Sequence, residues 1–326
     1  MGKSSDITGR KIYPAAEKRP DKKSLSARIR REFSLNKYLY IMAIPVVFYY
    51  VIFHYLPMYG AQIAFKEFDI AKGIWASKWI GFRHFWEFVS GIYFWRLIRN
   101  TFIISIYQMI FGFPAPIILA LLLNELRSDK FKRFVQTAVY LPHFISLVVI
   151  CGMVLDFVSR SCVVVQIMAF FGFSPVSLMT RPQYFRPIYV ISGIWQEIGW
   201  GSIIFLSALA SIDQEQYEAA TIDGAGRFRR MLHITIPGIL PTITILLILR
   251  IGHLMSVGFE KIILLYNPSI YEVSDVISTF VYRKGLQESF QYSFSSAVGL
   301  FSSVLNFILL ISANQISRKI NETSLW

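Results

Sequence analysis

The chain has 326 residues, 54% of them hydrophobic and only 16% charged, against about 45–50% and about 25% in ordinary soluble domains. A mean hydropathy of +0.48 points to lipid; it excludes a disordered chain, a collagen and a disulfide scaffold, and makes a span of about 20 apolar residues the useful divisor. The net charge of +13 is gathered at one end, where a membrane protein keeps its cytoplasmic anchors, so it reads as membrane orientation and not as nucleic-acid binding.

Residues 1–37 carry 11 Lys/Arg and four Asp/Glu and lack the apolar stretch of a cleavable signal. They read as a basic cytoplasmic tail, with 24–33 forming a short helix on anionic headgroups. Six segments then read as membrane helices: 38–56, 102–123, 144–158, 188–209, 239–257 and 297–313. The third is short for a hydrocarbon core of about 30 Å, and continuing it back through Tyr140 and Leu141, past Pro142, supplies the missing turn.

The loop 57–101 holds Trp75, Trp79, Trp86 and Trp95 among several phenylalanines. Two readings stay open: an interfacial helix resting on the outer surface, or a small aromatic core capping the bundle. The run 163–173 is too short to cross and is placed at the same surface. Lys and Arg number 20 in the tail, the 124–139 and 210–233 loops and the C-terminus, and 12 in the other loops, which favours both termini inside.

Catalytic and cofactor signatures are missing from the sequence. No Gly-x-x-x-x-Gly-Lys-Ser/Thr run exists to cradle a triphosphate, and Gly224-Ala225-Gly226 lacks the third glycine of a dinucleotide turn, since Arg229 stands there. The histidines His54, His84, His143, His233 and His253 are scattered singly, and Cys151 and Cys162 lie in apolar sequence, so no metal site is expected.

The informative stretch begins Glu218-Ala219-Ala220-Thr221-Ile222-Asp223-Gly224-Ala225-Gly226 and runs through a basic turn to Pro237. It reads as helix, glycine break, helix, with small residues that let another protein's surface approach closely. A purely structural loop is the alternative.

This run resembles the Glu-Ala-Ala signature of permease subunits of bacterial binding-protein-dependent ABC importers, with Met231 and Ile236 where Phe and Leu are usual. Tyr55-Leu56-Pro57-Met58-Tyr59-Gly60, Gly112-Phe113-Pro114, Leu121-Leu122-Leu123-Asn124-Glu125, Tyr140-Leu141-Pro142-His143-Phe144-Ile145-Ser146, Gly193-Ile194-Trp195-Gln196, Val257-Gly258-Phe259-Glu260-Lys261 and Ser324-Leu325-Trp326 extend the resemblance. They are similar to permeases for oligosaccharides and polysaccharide fragments, including plant-wall and alginate importers.

The resemblance implies an all-α membrane protein of the bacterial inner membrane, with the six-helix type I importer architecture and both termini cytoplasmic. Its divisions would be the tail 1–37, a first span and external loop over 38–101, a transmembrane domain over 102–313 and a C-terminal tail over 314–326. A coupling helix at about 214–230 would dock into the ATPase through Glu218, Ala219, Ala220, Asp223, Gly224 and Ala225. The expected partners are a second, homologous permease, two ATPase subunits, an external solute-binding protein, the oligosaccharide and the bilayer, with no nucleic acid. ATP and magnesium would sit on the ATPases and no cofactor on this chain. The cargo is expected to be a complex oligosaccharide, uronate-rich or neutral. An ion-coupled secondary transporter would need a coupling-ion site and inverted repeats, and an enzyme on lipid-linked sugars would need placed carboxylates or histidines; the sequence offers neither set.

Inside the spans, Gln108, Trp195, Gln196, Trp200, Arg250, His253 and Asn306 are the sugar-facing candidates, because a pyranose needs aromatic faces and amide or charged partners. Ordinary helix packing is the simpler account of any single aromatic, whereas Gln196 and Trp200 share one helical face at i,i+4. Arg250 and Glu197 are costly inside a membrane. Counting rise from the span ends, roughly 20 Å from one surface and 13 Å from the other, sets them at similar depth. An ion pair joining spans four and five is therefore the favoured expectation; the alternative is an Arg250 that faces the pathway and meets uronate carboxylates.

Overall fold

The computed structural model describes residues 32–33, 35–172, 176–288, 290–321 and 324–325 and divides into one unit up to Gly60 and another from Ala61 onward. The expected basic helix over 24–33 lies, except for its last two residues, outside the described part. In the first unit the helix Lys37–Tyr50 continues through a wide turn, Val51–Tyr55, into Leu56–Met58 with no residue buried. A helix apolar all round is one whose surroundings are hydrocarbon or other protein.

Among the described residues, four helical stretches are long and apolar enough to cross a bilayer: Lys37–Phe65, Phe94–Asn124, Arg227–Gly252 and Tyr292–Lys319. A fifth is counted if Asp129–Phe144 and Leu147–Phe157 form one broken span. The helix Pro182–Ala210 is 29 residues long, but Ser192, Gln196, Glu197 and Ser202 dilute its apolar character. The helices at Phe94, Pro182 and Tyr292 begin before the apolar runs 102–123, 188–209 and 297–313, because polar turns extend each helix beyond its hydrocarbon-matched part.

The third expected span is corrected. It does not continue back through Tyr140 in one direction: Asp129–Tyr140 tightens into the turn Leu141–Phe144, the helix breaks at Ile145–Ser146, and Leu147–Phe157 leaves at 100° to Asp129–Phe144. Pro142 lacks a backbone donor, and Ser146 starts a fresh helix by accepting the Val149 N–H at 3.4 Å.

Proline also shapes the longer helices. The wide π turns Val51–Tyr55, Gln108–Gly112 and Met231–Thr235 each end two residues before a proline, namely Pro57, Pro114 and Pro237. A proline has no N–H to donate and its ring crowds the carbonyl four residues back, and a wide turn relieves both within a continuous helix.

One core cluster gathers Ile104, Phe185, Tyr189, Val257 and Ile262; another gathers Ala120, Phe205, Leu209 and Ile239. Gly199 lets the helix Pro182–Ala210 lie directly on the Val139 carbonyl, where a Cβ would overlap backbone. Outside the spans, Lys66–Glu67 and Lys78–Trp79 pair as a short antiparallel ribbon, Lys66 opposite Trp79. The two readings of the aromatic loop divide between residue types: Phe88 is buried with Phe280, Phe294 and Phe301 around it, while Trp75, Trp79, Trp86 and Trp95 are exposed.

An ionic cluster fastens residues 271–288 to the helix Phe94–Tyr107. The fully buried Asp275 carboxylate accepts from Arg283 at 2.7 and 3.2 Å, from Arg96 at 3.2 Å and from the Thr279 hydroxyl at 2.9 Å. Asn100 donates to the carbonyls of Glu272 and Asp275 at 2.8 and 3.0 Å. Burial alone would lower the Arg283 pKa, but the hydrogen bonds and charge of Asp275 outweigh it and raise the guanidinium above its ordinary value.

Candidate functional site

A cavity of about 890 Å³ opens among the helices Phe94–Tyr107, Pro182–Ala210 and Ile236–Gly252 and the short helix Phe259–Leu265. Five of the seven pathway candidates line it: Gln108, Gln196, Trp200, Arg250 and His253. Gln108 opens the wide turn before Pro114, which places its amide on the cavity wall. Gln196 and Trp200 share the inward face of one helix, as their spacing predicts. Arg250 occupies the last turn of its helix, where the carbonyl ends favour a cation.

The expected Glu197–Arg250 pair is not formed. Arg250 Nη2 donates to Gln108 Oε1 at 3.2 Å, and Glu197 Oε2 lies 3.0 Å from His143 Nδ1. Depth along a span fixes how high a side chain stands but not which way the helix is turned, and it is the tight turn Leu141–Phe144 that presents His143 to Glu197. The His143 ring also stacks on Trp200, centroids 4.5 Å apart and planes within 3°.

Trp195 and Asn306 stand outside the cavity lining. Trp195 projects from another face of its helix, and Asn306 braces a turn: its Oδ1 accepts from the Met255 N–H and its Nδ2 donates to Ser256 Oγ, both at 2.8 Å. Among the lining residues outside the candidate set are Tyr189 and Lys261. Lys261 lies beyond the apolar run of span five, in sequence assigned to an external loop. Its Nζ sits 5.3 Å from the centroid of the Tyr189 ring.

At the other end of the unit, Gln214–Ile222 forms a helix capped by Asp213, whose carboxylate accepts the Glu215 N–H at 3.0 Å. Gly224 ends it with φ +73, the left-handed conformation that a glycine adopts without strain. The Ala225 N–H reaches the Ala220 carbonyl at 2.9 Å and the Gly224 N–H reaches Thr221 at 3.1 Å, the paired bonds of a Schellman ending. Arg230 Nη1 donates to Thr221 Oγ1 at 2.7 Å, and the Tyr217 hydroxyl lies 3.0 Å from Thr235 Oγ1. These contacts fix the short helix against the start of the span that follows. Glu218, Ala219, Asp223 and Gly224 are exposed, Ala220 and Ala225 half-buried, and Ile222 and Phe228 add apolar side chains left open.

Apolar helices around a cavity whose mostly apolar wall carries a few polar and charged side chains, with an exposed capped helix ahead of the helix Ile236–Gly252, fit a membrane transport subunit. The chain belongs to the family of binding-protein-dependent transport system inner membrane components, matched over residues 112–322. It is 46% identical to protein LplB of Bacillus subtilis (strain 168) over 293 residues, 89% of this chain and 92% of LplB. It is 39% identical over 316 residues to the polygalacturonan/rhamnogalacturonan transport system permease protein YteP of the same organism, covering 96% and 98% of the two chains. The crystal structure of a bacterial ABC transporter that imports the acidic polysaccharide alginate matches with a TM-score of 0.83 and 44% identity, over 90% of this chain and 99% of that one. The alginate ABC transporter in complex with its alginate pentasaccharide-bound periplasmic protein matches with a TM-score of 0.84 and 43% identity, over 91% and 100%.

Proposed function

We propose that this permease subunit moves a uronate-bearing oligosaccharide inward through the central cavity. The cargo arrives from an external binding protein, and ATP with magnesium is hydrolysed on two partner ATPase subunits while a second permease completes the pathway. In this reading the chain spans the inner membrane six times with both termini cytoplasmic, 1–37 and 314–326 being its tails, and the element 214–230 is the coupling helix. ATPase closure moves that helix and tips the spans between outward-facing and inward-facing arrangements. The naming of YteP for polygalacturonan and of the structural relatives for alginate supports an acidic cargo.

The observation that carries the cargo assignment is Arg250. Its guanidinium lines the cavity and is held by a neutral amide, so its charge remains available for a carboxylate, which a guanidinium recognises through two parallel hydrogen bonds. In the purified complex, Arg250→Gln is expected to keep basal ATP hydrolysis and to weaken stimulation by uronate-loaded binding protein roughly tenfold or more, the loss of one charge-assisted contact. The double change Glu197→Gln/Arg250→Gln is expected to give no rescue, because Glu197 bonds His143. Recovery of stimulation in the double variant would reinstate the ion pair and remove the cargo role.

A further inference from the structure

Four charged residues are buried among those described: Lys66, Lys261, Asp275 and Arg283. Lys66 donates to the Ile74 carbonyl at 2.7 Å, and Asp275 and Arg283 hold each other. Lys261 alone has no such partner: the residue is 7% exposed, and its Nζ finds no hydrogen-bond acceptor among the described residues. A buried ammonium without an acceptor is costly, and near a membrane such a group marks a site that something else completes.

Its surroundings say what that is. A Cβ on Gly193 would stand 3.3 Å from Lys261 Nζ and 4.0 Å from Gln108 Nε2, so the ammonium and the amide that holds Arg250 face the same bare stretch of backbone. Lys261 also lies on the wall shared by the central cavity and a second cavity of about 560 Å³. Glu197 and Glu260 line the central cavity too, but Glu197 is directed to His143 and neither carboxylate reaches salt-bridge distance of Lys261.

We propose that Lys261 is a second cargo-binding cation, which takes a carboxylate on a different residue of the oligosaccharide whose first carboxylate meets Arg250. This rests on the uronate reading above and adds to it that selection depends on the number of carboxylates, not on charge alone. The glycine at 193 leaves the ammonium room to approach the pathway wall, and a longer side chain there would fill that room.

The test compares three cargoes presented at saturation to the complete reconstituted transporter: a triuronate, the same trisaccharide with all but one carboxyl reduced to the alcohol, and the fully reduced form. The unaltered complex is expected to take up the triuronate roughly tenfold faster than the single-carboxylate form, one charge-assisted contact apart. Lys261→Met should bring those two together while both still exceed the neutral form, because Arg250 remains. Gly193→Ala, which keeps the ammonium but sets a methyl against it, should narrow the same ratio and carries the test if Lys261→Met does not assemble. An unchanged ratio in whichever variant assembles overturns the role of Lys261. Equal uptake of the triuronate and the fully reduced form by the unaltered complex overturns the uronate reading itself, so the two failures are told apart.

Discussion

A complex carrying Glu218→Lys or Gly224→Asp is expected to lose uptake and cargo-stimulated ATP hydrolysis entirely, with the permease still inserted and folded. Glu218 is exposed on the short helix Gln214–Ile222, so its reversal disturbs no internal contact; it changes only what a partner surface meets. At Gly224 the backbone is left-handed, and any residue with a Cβ pays about 1–2 kcal/mol there, short of unfolding a subunit of this size. The added carboxylate then stands where the helix ends and where close approach needs a bare backbone. Cargo-stimulated hydrolysis in the purified complexes checks this, with circular dichroism as the control for folding. If both variants hydrolyse ATP in response to loaded binding protein as the unaltered complex does, the element is not the coupling helix.

The second large effect concerns stability. Asp275→Ala is expected to cost about 3–5 kcal/mol, the usual consequence of removing one partner from a buried ionic cluster. Two guanidinium groups lose their carboxylate at once, and Thr279 loses an acceptor. Arg283 keeps the faces of Tyr271 and Phe280 but, among the described residues, a single carboxylate, Glu288, at 3.4 Å and half exposed. Arg96→Met should cost much less, because Arg96 is partly solvated and Arg283 still neutralises Asp275. Thermal unfolding in detergent decides the matter: a large fall in melting temperature for Asp275→Ala and a small one for Arg96→Met are expected, and equal or negligible shifts would show that the cluster does not hold residues 271–288 in place.

Hydropathy alone located the long apolar helices, because the hydrocarbon core demands a continuous apolar run whatever the fold. The helix–glycine–helix element was legible for a similar reason, since the left-handed turn at Gly224 follows from a glycine after an alanine-rich helix. Tertiary direction was not legible. The bend at Ile145–Ser146 follows a tight turn that holds Pro142 and precedes a helix capped by Ser146, both local and visible, but the apolar run around them masks the break. With the bend missed, His143 could not be placed beside Glu197, and matched depth made Arg250 look like the natural partner.

Lys261 was missed because a lysine outside an apolar run reads as solvent-facing, whereas here the chain after His253 folds back against Tyr189. Trp195 illustrates the opposite error: residue type named it, and helix rotation, set by packing, turned it away from the cavity. Asp275 and Arg283, eight residues apart on either side of the short helix Ile277–Tyr282, gave no periodic signal of the buried pair they form.

The central claim is that the cavity passes an acidic oligosaccharide because a guanidinium in its wall is left free for a carboxylate. Its most direct test is ATP-dependent uptake into proteoliposomes holding the complete transporter, with an acidic trisaccharide and a neutral trisaccharide of the same linkage each presented on saturated binding protein. At least roughly tenfold faster uptake of the acidic sugar, a preference that Arg250→Gln cuts by roughly tenfold, is the predicted result. Equal uptake of the two sugars, or a preference that Arg250→Gln leaves undiminished, would contradict it.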